Sequence, residues 1–180
     1  ILERMIRYQQ IVGGMFPYDE DDGTHGIVPI PGPNPKLDSM CDLIGDLDVK
    51  AKVIIWARFV PEQRMIAEYL NSAFGESVAW YSAGSSTKER QNMINEFQDP
   101  ESPRRFFLSN PTMGGIGLTL TAASYVVYFS NSFSLEDRLQ SEDRAHRKGQ
   151  TKSVTYIDIM MDHQIDRDII AAIKSKKSVA

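Results

Sequence analysis

From residue 52 onward the chain alternates short apolar, β-branched runs with amphipathic stretches of helical period, and no other feature limits the possible folds so tightly. KVIIWA (52–57), SVAWYS (77–82), RRFFLSN (104–110), SYVVYFS (124–130) and SVTYIDIM (153–160) read as strands. Between and after them, 61–74, about 87–97, 134–147 and 163–177 read as helices. The first places Met65, Ile66, Tyr69, Leu70 and Ala73 at helical spacing, with Pro61 in its opening turn and Gly75 past its end. Apolar strands separated by helices pair in parallel through right-handed crossovers. The expected fold is therefore α/β, a three-layer domain with a mostly parallel sheet flanked by helices. In such sheets ligands sit at the carboxyl ends of the strands, which directs attention to the loops after 57, 82, 110 and 130.

The first 35 residues differ in character. Residues 1–12 read as a short helix stopped by Gly13 and Gly14. Residues 13–35, rich in Gly, Pro and Asp and holding the acidic run Asp19-Glu20-Asp21-Asp22, read as a surface loop or partly disordered linker. A helix from about 36 to 47 precedes the first strand, so the expected division is 1–35 as a lead-in and 36–180 as the domain proper. The chain starts at Ile1 and reads as a piece of a longer protein.

Charge and cysteine usage narrow the function classes. With 20 Lys and Arg against 24 Asp and Glu, the net charge is −4, so any nucleic-acid contact has to be local or shared with a partner surface. Cys41 is the only cysteine; it permits no internal disulfide and reads as a small core residue. His25, His146 and His163 are scattered and form no metal-ligand set, and no apolar run is long enough to span a bilayer.

Three loops carry polar, glycine-containing sequence. In SAGSSTKER (82–90) a helix start at Gly84, Ser85 and Ser86 offers backbone N–H groups to a phosphate, although Ser86 with Glu89 also makes an ordinary capping box. In LSNPTMGGIGLTL (108–120), Gly114, Gly115 and Gly117 would let backbone approach a ligand, and Thr112 could reach an oxygen; a tight turn explains the glycines equally well. In QSEDRAHRKGQ (140–150), Gln140, Arg144 and Arg147 fall at i, i+4 and i+7 on one helical face. Those arginines suit a phosphate; they also suit a helix C-terminus, with Asp143 able to pair with Arg147.

Taken in order, these segments resemble the second, C-terminal RecA-like lobe of superfamily 2 helicases, specifically the SWI/SNF-type DNA translocase branch in a compact phage- or bacterial-like variant. KVIIWARF resembles motif IV, WYSAGSSTKERQNMINEF the Gly-Ser/Thr and Arg-Gln motif after it, LSNPTMGGIGLTLTAASYVVYF motif V and QSEDRAHRKGQ motif VI. The likeness covers nearly the whole chain, and the RAHRxGQ form favours this branch over DEAD-box RNA helicases. NSFSLED stands where the branch often has a Trp-Asn-Pro element, and motif V carries an extra residue near 110–113.

The resemblance implies an ATP-dependent double-stranded DNA translocase or helicase that is only half present. ATP and Mg2+ would be held mainly by an N-terminal RecA-like lobe, since neither a P-loop nor a DExx-type motif occurs in these residues. Motif VI would supply Arg147 as the γ-phosphate finger with Arg144 beside it, Gln140 would position nucleotide or water, and Gly115 and Gly117 would approach ribose and phosphates. Arg58, Ser82, Gly84, Ser85, Lys88, Asn110 and Thr112 would hold the duplex DNA backbone. The lobe alone would be inactive. Its expected location is the cytoplasm of a bacterial or phage-infected cell, or the nucleus if the source is eukaryotic. A non-catalytic nucleic-acid-binding or regulatory RecA-like module is the alternative; a small α/β hydrolase lacks a nucleophile, base or metal cluster.

Overall fold

Five parallel strands form the central sheet in the order β4-β5-β3-β6-β7: β3 (Lys52–Trp56), β4 (Val78–Trp80), β5 (Phe106–Ser109), β6 (Ala123–Tyr128) and β7 (Thr155–Asp158). The structure is a computed structural model and describes residues 2–75, 77–113, 118–150 and 152–177. Six helices accompany the sheet among the described residues: α1 (Leu2–Val12), α2 (Pro35–Gly45), α3 (Val60–Phe74), α4 (Thr87–Gln98), α5 (Leu135–Ala145) and α6 (Gln164–Lys177). The three-layer α/β architecture expected from the alternation is the one observed, with every expected strand and helix present.

Strand β3 lies at the centre because all five of its residues are buried and it pairs on both edges, with β5 and with β6. Its alternating side chains separate two cores. Val53, Ile55 and Ala57 meet α2 and α3 through Leu37, Met40, Ile44, Ile66 and Leu70. Ile54 and Trp56 meet Phe97 of α4, Ala145 of α5, and Leu118 and Leu120 of the β5–β6 connection. Both faces being covered explains why the strands read as apolar runs without polar alternation. The chain leaves β3 toward β4 and β5 on one side and then crosses to β6 and β7 on the other. The loops after β3, β5 and β6 therefore diverge around the carboxyl end of β3, the usual ligand position in such sheets.

Helix boundaries follow local chemistry. Asn34 caps α2 by accepting from Leu37 N at 3.1 Å, with Pro35 at the first helical position. Ser86 and Glu89 make a reciprocal capping box on α4. At α5, Ser134 accepts from Asp137 N at 3.1 Å, while the Asp137 carboxylate accepts from Ser132 rather than closing a box. Gly75 ends α3 at φ 73°, a backbone that L side chains rarely adopt.

The stretch read as a loop or linker contains a β-hairpin instead: β1 (Met15–Asp19) pairs antiparallel with β2 (His25–Pro29). Pro17 and Pro29 read as breakers in sequence, but a two-stranded ribbon is all edge, where a missing N–H is tolerated. The acidic run forms its turn. Asp19 pairs with Arg7 at 2.7 Å and His25 at 2.6 Å, and Gly23 turns at φ 84°. Helix α1 also belongs to the folded body: its Met5 and Val12 pack on Ile165, Ile169 and Ile173 of α6.

Candidate nucleotide and nucleic-acid site

The arginines of QSEDRAHRKGQ do not share one helical environment. The helix expected to reach residue 147 ends at Ala145, with His146 as its cap, so Arg147 lies beyond it. Its guanidinium is exposed and donates to Thr119 Oγ1 at 3.3 Å; the expected ion pair with Asp143 is not formed. Gly149, at φ 107°, turns the chain after the helix, where Gln150 N–H donates to Arg147 O. Gln140 is exposed and donates to Glu136 at 3.0 Å.

Arg144 is buried, 5% exposed, with its guanidinium carbon 5.7 Å from the Trp56 ring and a long hydrogen bond of 3.4 Å to Met113 O. Its Nε has no partner. Burial and the neighbouring Arg147 push its pKa down, and only the Tyr81 and Tyr128 hydroxyls oppose them. No carboxylate pairs with it among the described residues. A buried cation is ordinarily paired; here the cationic group stands at the carboxyl end of β3 uncompensated, one turn of chain from a second arginine. Such an arrangement suits a multiply charged anion.

Arg138 of the same helix shows the contrasting case. It is 7% exposed, sits 3.6 Å above the Tyr128 ring, and is held by Glu142 and Asp158. It anchors α5 to β7 and is neutralised where it lies. Part of the difference is local, since Glu142 stands four residues after Arg138 and Lys148 four after Arg144; the rest is the distant Asp158. Gln150 is a second structural residue that motif reading left unassigned. Its amide donates to the carbonyls of Thr121, Ala123 and Ala145, fastening the end of α5 to the start of β6.

The residues expected on the DNA side line the carboxyl edge, but several are engaged. Arg58 donates to the Gln9 carboxamide of α1, is half-buried, and has its pKa lowered by desolvation. Asn110 donates to Arg58 O at 2.8 Å and accepts from Thr112 N and Oγ1, both at 2.9 Å, so these two side chains tie the end of β5 to the end of β3. Ser82 and Ser85 hydroxyls lie 3.3 Å apart, and Ser85 N–H donates to Ser82 O. The Ser86 N–H is occupied by Glu89. The cluster of open N–H groups expected at 84–86 is thus mostly satisfied internally, because the capping box outcompetes solvent for them. Gly84 has open space around it, with Ser82 Oγ the nearest atom to an added Cβ at 3.9 Å. Lys88 is exposed. Gly114, Gly115 and Gly117 lie outside the described residues.

Behind this edge is a residue that sequence reading missed. Glu62 of α3 is fully buried; its Oε2 accepts from Ser130 Oγ at 2.6 Å and Phe59 N at 3.3 Å, while Oε1 has no partner. Desolvation raises its pKa to about 7, against the Ser130 hydrogen bond and the Lys36 charge. Ser130 Oγ in turn accepts from Arg58 N at 2.7 Å, and the Gly13 backbone packs on the carboxyl so closely that a Cβ would meet Oε1 at 2.1 Å. Nearby, Lys36 and Asp166 form a buried 2.9 Å ion pair joining α2 to α6. Cys41 is buried, and desolvation lifts its thiol to about 11, as suits a core residue.

The helicase conserved C-terminal domain matches residues 35–149. ATP-dependent helicase fft1 of Schizosaccharomyces pombe is 30% identical over 134 residues, 74% of this chain and 14% of that protein. The putative ATP-dependent helicase/translocase YwqA of Bacillus subtilis is 26% identical over 180 residues, 99% of this chain and 19% of that protein. This chain thus spans less than a fifth of either relative. Among solved structures, the C-terminal part of the Fun30 ATPase domain superposes with a TM-score of 0.67 at 28% identity, covering 77% of this chain and 45% of that one. The C-terminal domain of the DEAD-box protein Dbp5, at 18% identity and a TM-score of 0.68 over 83% of this chain and 82% of that one, shares the fold.

Proposed function

The chain belongs to the helicase conserved C-terminal domain family, as the C-terminal lobe of a superfamily 2 SWI/SNF-type helicase, and from that premise we propose that it is the second motor lobe of an ATP-dependent duplex DNA translocase. The supporting observation is the buried, carboxylate-free guanidinium of Arg144 at the carboxyl end of β3, with Arg147 exposed beside it. ATP would be bound by an N-terminal RecA-like lobe and completed by this surface on closure. Arg147, exposed past the helix end, would exchange its long hydrogen bond to Thr119 for the γ-phosphate and serve as the finger. Arg144, fixed over Trp56, supplies a standing positive potential. Gln140, with Gly115 and Gly117, would contact nucleotide or water. Among the described residues no group of three or more His, Cys, Asp or Glu gathers, and the magnesium that accompanies ATP would be held mainly by the N-terminal lobe.

For DNA, Lys88, Ser82, Ser85 and Gly84 are the residues most available to phosphates. Arg58 would join them by exchanging its Gln9 partner, and Asn110 and Thr112 act by holding the loop ends together. Such contacts position a duplex without reading its sequence. The division into a 1–35 lead-in and a 36–180 lobe is part of the same reading, with α1 and the hairpin as an integral brace rather than a tether.

The experiment is steady-state ATP hydrolysis by the parent protein carrying Arg147→Ala. kcat should fall by roughly a thousandfold or more with KM for ATP comparatively unchanged, and Arg147→Lys should rescue poorly because an ammonium lacks the planar fork. Wild-type turnover by folded Arg147→Ala would leave the arginines as helix-end stabilisers.

A further inference from the structure

A cavity of about 820 Å3 lies at the amino edge of the sheet, at the opposite end of the strands from the site above. A five-residue strand separates the two edges by roughly 17 Å. The cavity has the volume of a small-molecule site. Phe74, Pro100 and Pro103 supply apolar wall, and Lys50, Lys52, Arg105 and Lys152 bring four cations against the single Glu101. A positive island is notable on a chain of net charge −4.

The cations are not neutralised. Lys52 Nζ is held by three carbonyl oxygens, those of Asp99, Ser102 and Arg104, and Arg105 by the carbonyls of Ile44, Leu47, Asp48 and Ala51. Carbonyl dipoles fix both side chains in place without cancelling their charge. Desolvation lowers the pKa of each, which Asp99 and Asp48 only partly oppose. Lys50 and Lys152 are exposed, and no carboxylate pairs with either among the described residues. Independently, Ser77 in the same wall is 4% exposed and its buried Oγ has no hydrogen-bond partner. An unpartnered buried hydroxyl is costly unless something comes to meet it.

We propose that this cavity binds an organic anion, a molecule with one or more carboxylate, sulfonate or phosphate groups on an apolar body. The anionic group takes the Lys50 and Lys152 ammoniums and the Ser77 hydroxyl, and the apolar body lies against Phe74 and the two prolines. Free metabolites and acidic side chains of a partner protein share this chemistry. Duplex DNA does not fit it, because a polyphosphate rod has no apolar part to place in a concave site. The inference is independent of the motor reading.

The test is titration of the 15N-labelled chain with anilinonaphthalene sulfonate, read by amide shifts. Saturable shifts confined to residues 49–52, 74–77 and 98–105 and to Ala122 and Lys152 are expected. The Lys50→Glu/Lys152→Glu double variant, altered at exposed positions, should weaken binding about tenfold. Ser77→Ala should weaken it a few-fold. Displacement by acetyl-Glu-Leu-Glu-amide would assign the site to a protein-borne anion, and dye binding that this peptide does not displace would assign it to a free small molecule. Equal affinity for the charge-reversed variant, equal competition by acetyl-Gln-Leu-Gln-amide, stronger competition by a duplex oligonucleotide, or shifts centred elsewhere would overturn the proposal.

Discussion

Replacing Glu62 by Gln tests how deeply the junction behind the site is desolvated. The carboxyl is fully buried, one oxygen is unpartnered, and its pKa rises from 4.5 to about 7 on folding. For an acid whose folded pKa is raised, the native state holds its proton more tightly than the unfolded chain does. Its contribution to stability is therefore greatest below about pH 4.5, declines as pH rises toward about 7, and is flat above that. At about 1.4 kcal/mol per pH unit the decline totals about 3 kcal/mol, a large part of a typical domain's stability. Glutamine keeps the size and an acceptor for Ser130 but cannot ionise. Its unpartnered amide has its own cost, which is independent of pH, so the diagnostic quantity is the slope. Urea unfolding of both chains between pH 5 and 8, which covers most of that decline, should show wild-type stability falling relative to Glu62→Gln by about 2.5 kcal/mol. The histidines are common to both and cancel in the difference. A difference that stays constant across that range would mean that Glu62 ionises as it does in water, and the desolvated junction would be refuted.

Gly13→Ala should destabilise the fold by about 1–3 kcal/mol, since its Cβ would overlap Glu62 Oε1 and the buried carboxyl has little room to retreat; thermal denaturation reads it. Arg138→Met should cost less than the roughly 3–5 kcal/mol of a fully buried pair, about 1–3 kcal/mol, because Asp158 loses its counter-charge but is partly exposed and Glu142 keeps Lys177, measured by the same unfolding curves. The lobe alone should bind duplex DNA weakly, with affinity falling steeply with salt and hardly depending on sequence. In fluorescence anisotropy Lys88→Ala should weaken binding to all duplexes alike and Arg147→Ala should not. Tight binding that survives high salt and selects among sequences would contradict a backbone-tracking motor.

Periodicity made the main architecture legible. The runs at KVIIWA and SYVVYFS are apolar on both faces because helices cover both sides of the sheet, and the capping serines 86 and 134 mark helix starts by purely local chemistry. The order of the motifs likewise lies in the sequence alone, and with it the family. The hairpin at 15–29 was hidden because its prolines and glycines resemble a loop; only pairing with another strand reveals why they are tolerated. Arg138 and Arg144 lie on one helix; Glu142, one turn on, is a partner the sequence offers the first, but Asp158, a strand away, also pairs with it and no carboxylate pairs with the second among the described residues. Glu62 reads as an ordinary first-turn acid until Gly13, Ser130 and Lys36 close around it from three other segments. Local sequence records which face of each element is apolar, and so determines helix, strand and layer. How far a charge is desolvated, and whether a counter-charge meets it, depends on atoms contributed from far along the chain, and only the tertiary structure decided that.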